Sequence, residues 1–262
     1  MLIDFHCHVF PEKIVERAIN LLSVNAGGIE PNYDGSLKGL KRYMKEQGVD
    51  VAVALSIATN AHQMASVNNF AASINSDNIV AFGSVYPDAP DALDELERIK
   101  ELGLVGVKFH PECQAFCVSD EKMMPIYKKI GELGLITIFH AGGDLGYLPP
   151  YGCMPEDAVK VVDLFSSPVV FAHWGAYYYP EKTYEYLAGR NCYFDTSFGY
   201  GTVPKPLAEK IVEKHGVDKL LFGSDGPWSN VAREKRYIEL LGLSQEEKDL
   251  IFHKNAEKLL KL

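Results

Sequence analysis

Eight short, nearly all-apolar runs, each followed by a longer amphipathic stretch, limit this chain more than any other feature. The runs are Leu2–His8, Asp50–Ile57, Ile79–Tyr86, Val105–His110, Ile136–His140, Val169–His173, Asn191–Thr196 and Lys219–Ser224. Continuous apolar character is expected of strands covered on both faces, as in a parallel sheet. The intervening stretches carry helix signals. Ser36–Gln47 spaces Leu37, Leu40 and Met44 along one side. Asp91–Leu102 opens on acidic residues and stops at Gly103, and Asp120–Leu133 stops at Gly134. Pro155–Phe165 starts on a proline, Pro204–His215 stops at Gly216, and Ser244–Leu262 opens with a capping box closed by Glu247. After a longer first interval the runs begin roughly every 30 residues, the spacing of βα units. Eight such units predict an α/β chain folded as a (β/α)₈ TIM barrel, one domain over residues 1–262. An open doubly wound sheet wants a glycine-rich first turn, and Cys7-His8-Val9-Phe10-Pro11 is not one. The loop-forming regions Leu22–Asp34 and Gly142–Gly152 are predicted to sit above the C-terminal mouth.

Composition excludes several functions. No apolar run approaches the roughly 18 residues that cross a bilayer, and the apolar start is broken by Asp4 and two histidines, unlike a secretory leader. Five cysteines without paired spacing suit free thiols and a cytoplasmic location. A net charge of −9 with no Lys/Arg cluster speaks against nucleic acid as a partner.

The polar residues fall where chemistry would be placed. The first run carries His6 and His8 at i and i+2, so strand alternation points both to one face, roughly 6.6 Å apart along the backbone. On that pattern Asp4 shares their face, while Ile3, Phe5 and Cys7 face the other way. The fourth run ends Lys108-Phe-His110-Pro, the fifth Phe-His140-Ala-Gly, the sixth Ala-His173-Trp-Gly and the eighth Gly-Ser-Asp225-Gly. All strand C-termini of a barrel meet at one mouth, so these distant side chains converge. A single strand-end histidine is more often structural than functional. Gathering His6, His8, His140, His173 and Asp225 without partners would cost several kcal/mol each, and a shared cation removes that cost.

These motifs resemble the amidohydrolase superfamily, specifically the amidohydrolase 2 branch that includes aminocarboxymuconate-semialdehyde decarboxylase. The resemblance runs from Ile-Asp-Phe-His-Cys-His through Gly-Val-Lys-Phe-His-Pro, Phe-His-Ala-Gly, Ala-His-Trp-Gly and Phe-Gly-Ser-Asp to Asn255-Ala256. It implies one divalent metal, zinc with manganese as the alternative, held by His6, His8, His140 and Asp225, with His173 catalytic beside it. Related nucleases want a glutamate where this chain has Lys108. Two-metal relatives bridge their ions with a carboxylated lysine on the fourth strand, which Lys108 matches. In the single-metal reading Lys108 and His110 face substrate.

Such a ligand set lowers the pKa of a bound water to about 7. Asp225 is then ligand and proton carrier, and His173 orients the water or polarises a carbonyl. The reading placed first is a metal-dependent hydrolase of a small carboxylated or cyclic molecule. The alternatives are a decarboxylase and a metal-binding barrel without activity. Trp174 and Tyr177–Tyr179 read either as the wall of an apolar substrate pocket or as surface or interface packing, and Asp195 either as a residue of the mouth or as a turn former. His62, His215 and His253 lie in helical stretches and are expected on the surface. By analogy with relatives, a homodimer is the expected assembly.

Overall fold

The computed structural model of the protein describes residues 1–262. Its eight strands are β1 Ile3–Cys7, β2 Val51–Leu55, β3 Ile79–Phe82, β4 Gly106–Phe109, β5 Ile136–Phe139, β6 Val169–Phe171, β7 Tyr193–Asp195 and β8 Leu220–Leu221. Each lies inside one of the apolar runs, and all neighbours pair in parallel. The ladders form arcs of three strands, β1 to β3, and five, β4 to β8. Two bridges, Gly83 with Val107 and Cys7 with Gly226, join the arcs. At these seams Lys108 donates its backbone N–H to Gly83 at 2.8 Å, and Asp225 donates to His6 at 2.8 Å. The result is the closed barrel that the eight-unit pattern predicts.

The barrel interior is filled by Ile3, Phe5, Val53, Leu55, Phe82, Ile138, Val170 and Leu221, and Ala256 and Leu259 of the last helix pack against this cluster. Alternate residues such as Ala52, Ala54, Val107, Phe109, Phe139, Phe171 and Phe194 join the outer layer beneath the helices. Strict alternation fails in β1. Its register against β2 runs Asp4 to Ala52 and then Cys7 to Ala54, so Phe5 and His6 together oppose Val53. This β-bulge inserts one residue and re-aims the strand end. Phe5 therefore fills the interior together with Ile3, and His6 also turns inward. Asp4, expected beside His6, instead bonds Ser224 through that residue's backbone N–H (2.8 Å) and hydroxyl.

Helices form where start and stop signals are strong. Ser36 caps Leu37–Gln47 by accepting from the Gly39 N–H at 2.9 Å, and Gly48 ends it at φ 69°. The predicted helix Pro155–Phe165 is instead one turn, Pro155–Ala158, followed by a 3₁₀ turn at Val162–Leu164. Its β-branched Val159, Val161 and Val162 disfavour a continuous helix. The closing helix passes through a π-helical stretch, Leu250–Lys254. Immediately after it, Asn255 donates to the carbonyls of Val217 and Leu220 at 2.8 Å each and ties the helix to β8. No helix is long and apolar enough to cross a membrane.

Candidate metal centre

Three ligand atoms meet at the C-terminal rim. Asp225 Oδ1 lies 2.9 Å from His8 Nε2 and 3.2 Å from His6 Nε2. This oxygen is buried and accepts no hydrogen bond. Behind each imidazole stands an acceptor. His6 Nδ1 meets Asp195 Oδ2 at 2.8 Å, His8 Nδ1 meets the Leu55 carbonyl at 3.0 Å, and His140 Nε2 meets the Gly143 carbonyl at 2.8 Å. Carboxylates and carbonyls only accept, so each of these ring nitrogens carries the proton and the other presents a lone pair inward. His173 follows the same rule through Ser197, whose hydroxyl lies 2.8 Å from His173 Nδ1. Its Nε2 then faces the bare Nδ1 of His140 at 3.0 Å. Lys108 Nζ reaches the His6 lone pair at 3.4 Å; the other lone pairs and the carboxylate oxygen converge without protons and repel one another, and a divalent cation is the group that suits such a donor set.

Electrostatics keep these donors available. Burial holds His6 well below the usual histidine range, helped by Lys108 and its histidine neighbours. Burial does the same for His173, and it lowers His140 to about 4 with His110 adding to the effect. Neutral imidazole is the form that binds metal. Burial raises the Asp225 carboxyl, against the pull of His8 and Lys108. Lys108 is wholly buried, with Nζ 3.4 Å from His6 Nε2. Burial lowers its amine to about 8, opposed by Asp195 and Asp225.

His140 stands apart from the three-atom group. With His110 and Asp144 it belongs to a different group of neighbouring metal-ligating residue types. The rings of His140 and His110 stack at 4.2 Å and 7°. His110 is flanked by Glu112 Oε2 at 3.3 Å and Asp144 Oδ2 at 3.2 Å. Asp144 comes from the Gly142–Gly152 loop, and Tyr33, from the other predicted loop, donates its hydroxyl to the His8 carbonyl at 2.7 Å. Both loops therefore reach the mouth. His173 (φ 59°) and Asp225 (φ 63°) hold left-handed backbone, which costs a non-glycine residue on the order of 1–3 kcal/mol and concentrates at functional sites.

Three sequence expectations are corrected. Trp174 is fully buried, donates its indole N–H to the Thr196 carbonyl at 2.9 Å and packs edge-on against Tyr237, so it walls no pocket. Asp195 is fully buried beneath the rim and takes His6 as its partner rather than lining the mouth. His215 is not on the surface; it is 5 % exposed and stacks on Phe194 at 4.0 Å. Sequence reading missed Ser197 and Phe198. Ser197 follows Asp195 by two residues at the end of β7, and that spacing was the available signal. Phe198 lies 5.1 Å from Tyr177 and 6.0 Å from His173, ring centre to ring centre, so two aromatic rings border the catalytic candidate.

A family model described as Amidohydrolase matches residues 3–262. No curated protein sequence matches the chain. Among solved structures, 5-carboxyvanillate decarboxylase from Sphingomonas paucimobilis is similar, with TM-score 0.77 and 17 % identity, over 100 % of this chain and 99 % of that one. Dihydroxybenzoic acid decarboxylase from Polaromonas sp., solved with bound manganese and the inhibitor 2-nitroresorcinol, gives TM-score 0.76 and 17 % identity over 100 % and 97 %. An uncharacterized Tim-barrel protein from Bordetella bronchiseptica gives 0.78 and 20 % over 99 % and 98 %.

Proposed function

The chain belongs to the amidohydrolase family and is a metal-dependent enzyme; from that premise we propose that it is a carboxy-lyase acting on a small planar, aromatic or unsaturated, carboxylic acid. The observation that carries the metal centre is the set of acceptors behind the imidazoles, together with the bare, buried Asp225 Oδ1. His6, His8 and Asp225 would hold the ion, with the inward Nδ1 of His140 completing the set. When bound, a divalent ion supplies a Lewis acid that draws electron density from a substrate oxygen.

The chain's own groups do the rest. Lys108, buried deep in the barrel with Nζ 3.4 Å from His6 Nε2, supplies positive charge beneath the ion site. Tyr177 and Phe198 offer aromatic faces to a planar ring beside His173. His173 Nε2 holds a polar atom of the substrate in place. Decarboxylation breaks the bond from ring carbon to carboxyl carbon and leaves the electron pair on the ring. That carbon then needs one proton, drawn from solvent, and Asp225, beside His6 and His8 at the rim, is the carboxylate we assign to relay it. The sequence alone puts hydrolysis first. The decarboxylases among the structural neighbours, and an aromatic border that suits a flat acid, move the weight to carbon–carbon cleavage.

Isotopes separate the two outcomes. Metal-loaded protein is given 2,6-dihydroxybenzoate, 5-carboxyvanillate and a panel of lactones and amides, once in H₂¹⁸O and once in D₂O. A carboxy-lyase releases CO₂ and leaves deuterium on the vacated carbon, with no ¹⁸O in the organic product. Appearance of ¹⁸O in an organic acid would refute decarboxylation and restore hydrolysis.

A further inference from the structure

Asp195 receives four donors. His6 Nδ1–H reaches its Oδ2 at 2.8 Å, while the backbone N–H groups of His173 and Ser197 each reach Oδ1 at 3.1 Å. The Ser197 hydroxyl also contacts Oδ1 closely. A carboxylate can only accept, so the proton between these two oxygens is the serine's. Having spent its one proton there, Ser197 Oγ is an acceptor toward its other neighbour, His173 Nδ1, at 2.8 Å. Asp195 and Ser197 are wholly buried, so no water replaces either contact. The rings of His6 and His173 stack at 5.0 Å, so one carboxylate sits behind both.

We propose that Asp195 and Ser197 form a single tautomer clamp that places the Nδ1 protons of His6 and His173 together and so aims both Nε2 lone pairs into the metal centre. Asp195 acts on His6 directly and on His173 through the serine. Both are positioning residues, since neither touches the reacting atoms. The clamp also holds the left-handed turn at His173, because that residue's N–H ends on Asp195 and the Trp174 N–H ends on the Asp195 carbonyl at 2.7 Å. A ligand from β1 and a base candidate from the end of β6 are thereby set by one side chain of β7. The proposal rests on the metal-centre reading above.

The test needs no substrate. Protein with ¹⁵N-labelled histidine is examined by long-range ¹H–¹⁵N correlation spectra, metal-free and loaded with Zn²⁺, and zinc affinity is measured against a competing chelator. Wild type is expected to show protonated Nδ1 and bare Nε2 at both His6 and His173. Asp195→Asn is expected to weaken zinc binding by about 10–100-fold, the usual effect of losing the group behind a ligating histidine. Ser197→Ala is expected to leave zinc affinity within about threefold of wild type, the residue being no ligand. The same substitution should move the His173 proton to Nε2, and Ser197→Thr, which keeps the hydroxyl, should restore the wild-type pattern. An unchanged His173 tautomer in Ser197→Ala would overturn the clamp, as would wild-type zinc affinity in Asp195→Asn. Wild-type protein that binds no zinc would instead defeat the metal-centre reading, and the metal-free tautomers would still decide the clamp.

Discussion

Lys108 shows how much a single buried residue can say. Its side chain is inaccessible, and the hydrogen-bond partner of its ammonium is a histidine lone pair at 3.4 Å. A carboxylate partner would explain a structural lysine, yet none closes on it within salt-bridge distance. A cation kept in this position costs stability, which is the usual mark of a group retained for chemistry. Lys108→Met, which keeps length and removes charge, should therefore raise Tm by roughly 2–4 °C, equivalent to about 1 kcal/mol in a chain of this size. It should also leave one equivalent of bound metal, measured by elemental analysis beside the thermal scan. Loss of metal on this substitution would identify Lys108 as a carboxylated ligand between two ions.

Between residue and barrel, close strand packing is the governing constraint. Gly106 opens β4 at the seam with β3, and a Cβ there would meet the Phe82 ring at 2.3 Å and the Ile136 carbonyl oxygen at 2.7 Å. Neither neighbour can retreat, because Phe82 fills the interior and Ile136 belongs to the next ladder. Gly48 makes the opposite case: its backbone is left-handed at φ 69°, but nothing lies within 4 Å of the added atom. Gly106→Ala should cost about 3 kcal/mol or more by overpacking, and Gly48→Ala about 1 kcal/mol through conformation alone. Urea unfolding of both variants checks the order, and equal losses would refute the packing argument. The β1 bulge belongs to this scale as well. It lets one five-residue strand present both a core phenylalanine and a histidine of the candidate metal centre toward the interior.

Across the molecule, Glu234 joins two loops of the mouth. It is 1 % exposed, and it accepts from the Ser229 hydroxyl after β8 at 2.7 Å and from the Tyr200 N–H after β7 at 3.0 Å. Burial raises its carboxyl from 4.5 to about 7, in spite of these donors. The folded state therefore holds this proton more tightly than the unfolded chain does. The stability it contributes is complete below about pH 4.5 and is lost as pH rises through about 7. Wild type minus Glu234→Gln should accordingly lose on the order of 3 kcal/mol of relative stability between those limits. Denaturant titrations of both proteins at several pH values measure it, and a pH-independent difference would remove Glu234 from the account.

Sequence by itself determined the eight strands, because burial on both faces demands unbroken apolar runs that a reader can count. It also determined the order of His6, His8, His140, His173 and Asp225 at strand ends, because a parallel barrel brings every such end to one rim. Tertiary structure alone decided which way those side chains point. The bulge that separates Asp4 from His6 depends on pairing with β2, and the burial of Trp174 and His215 depends on Tyr237 and Phe194. The place of Asp195 and Ser197 behind two imidazoles was equally out of reach. Period-2 alternation assigns a face only while the ladder stays regular, and a hydrogen-bond partner nearly two hundred residues away leaves no trace in local pattern.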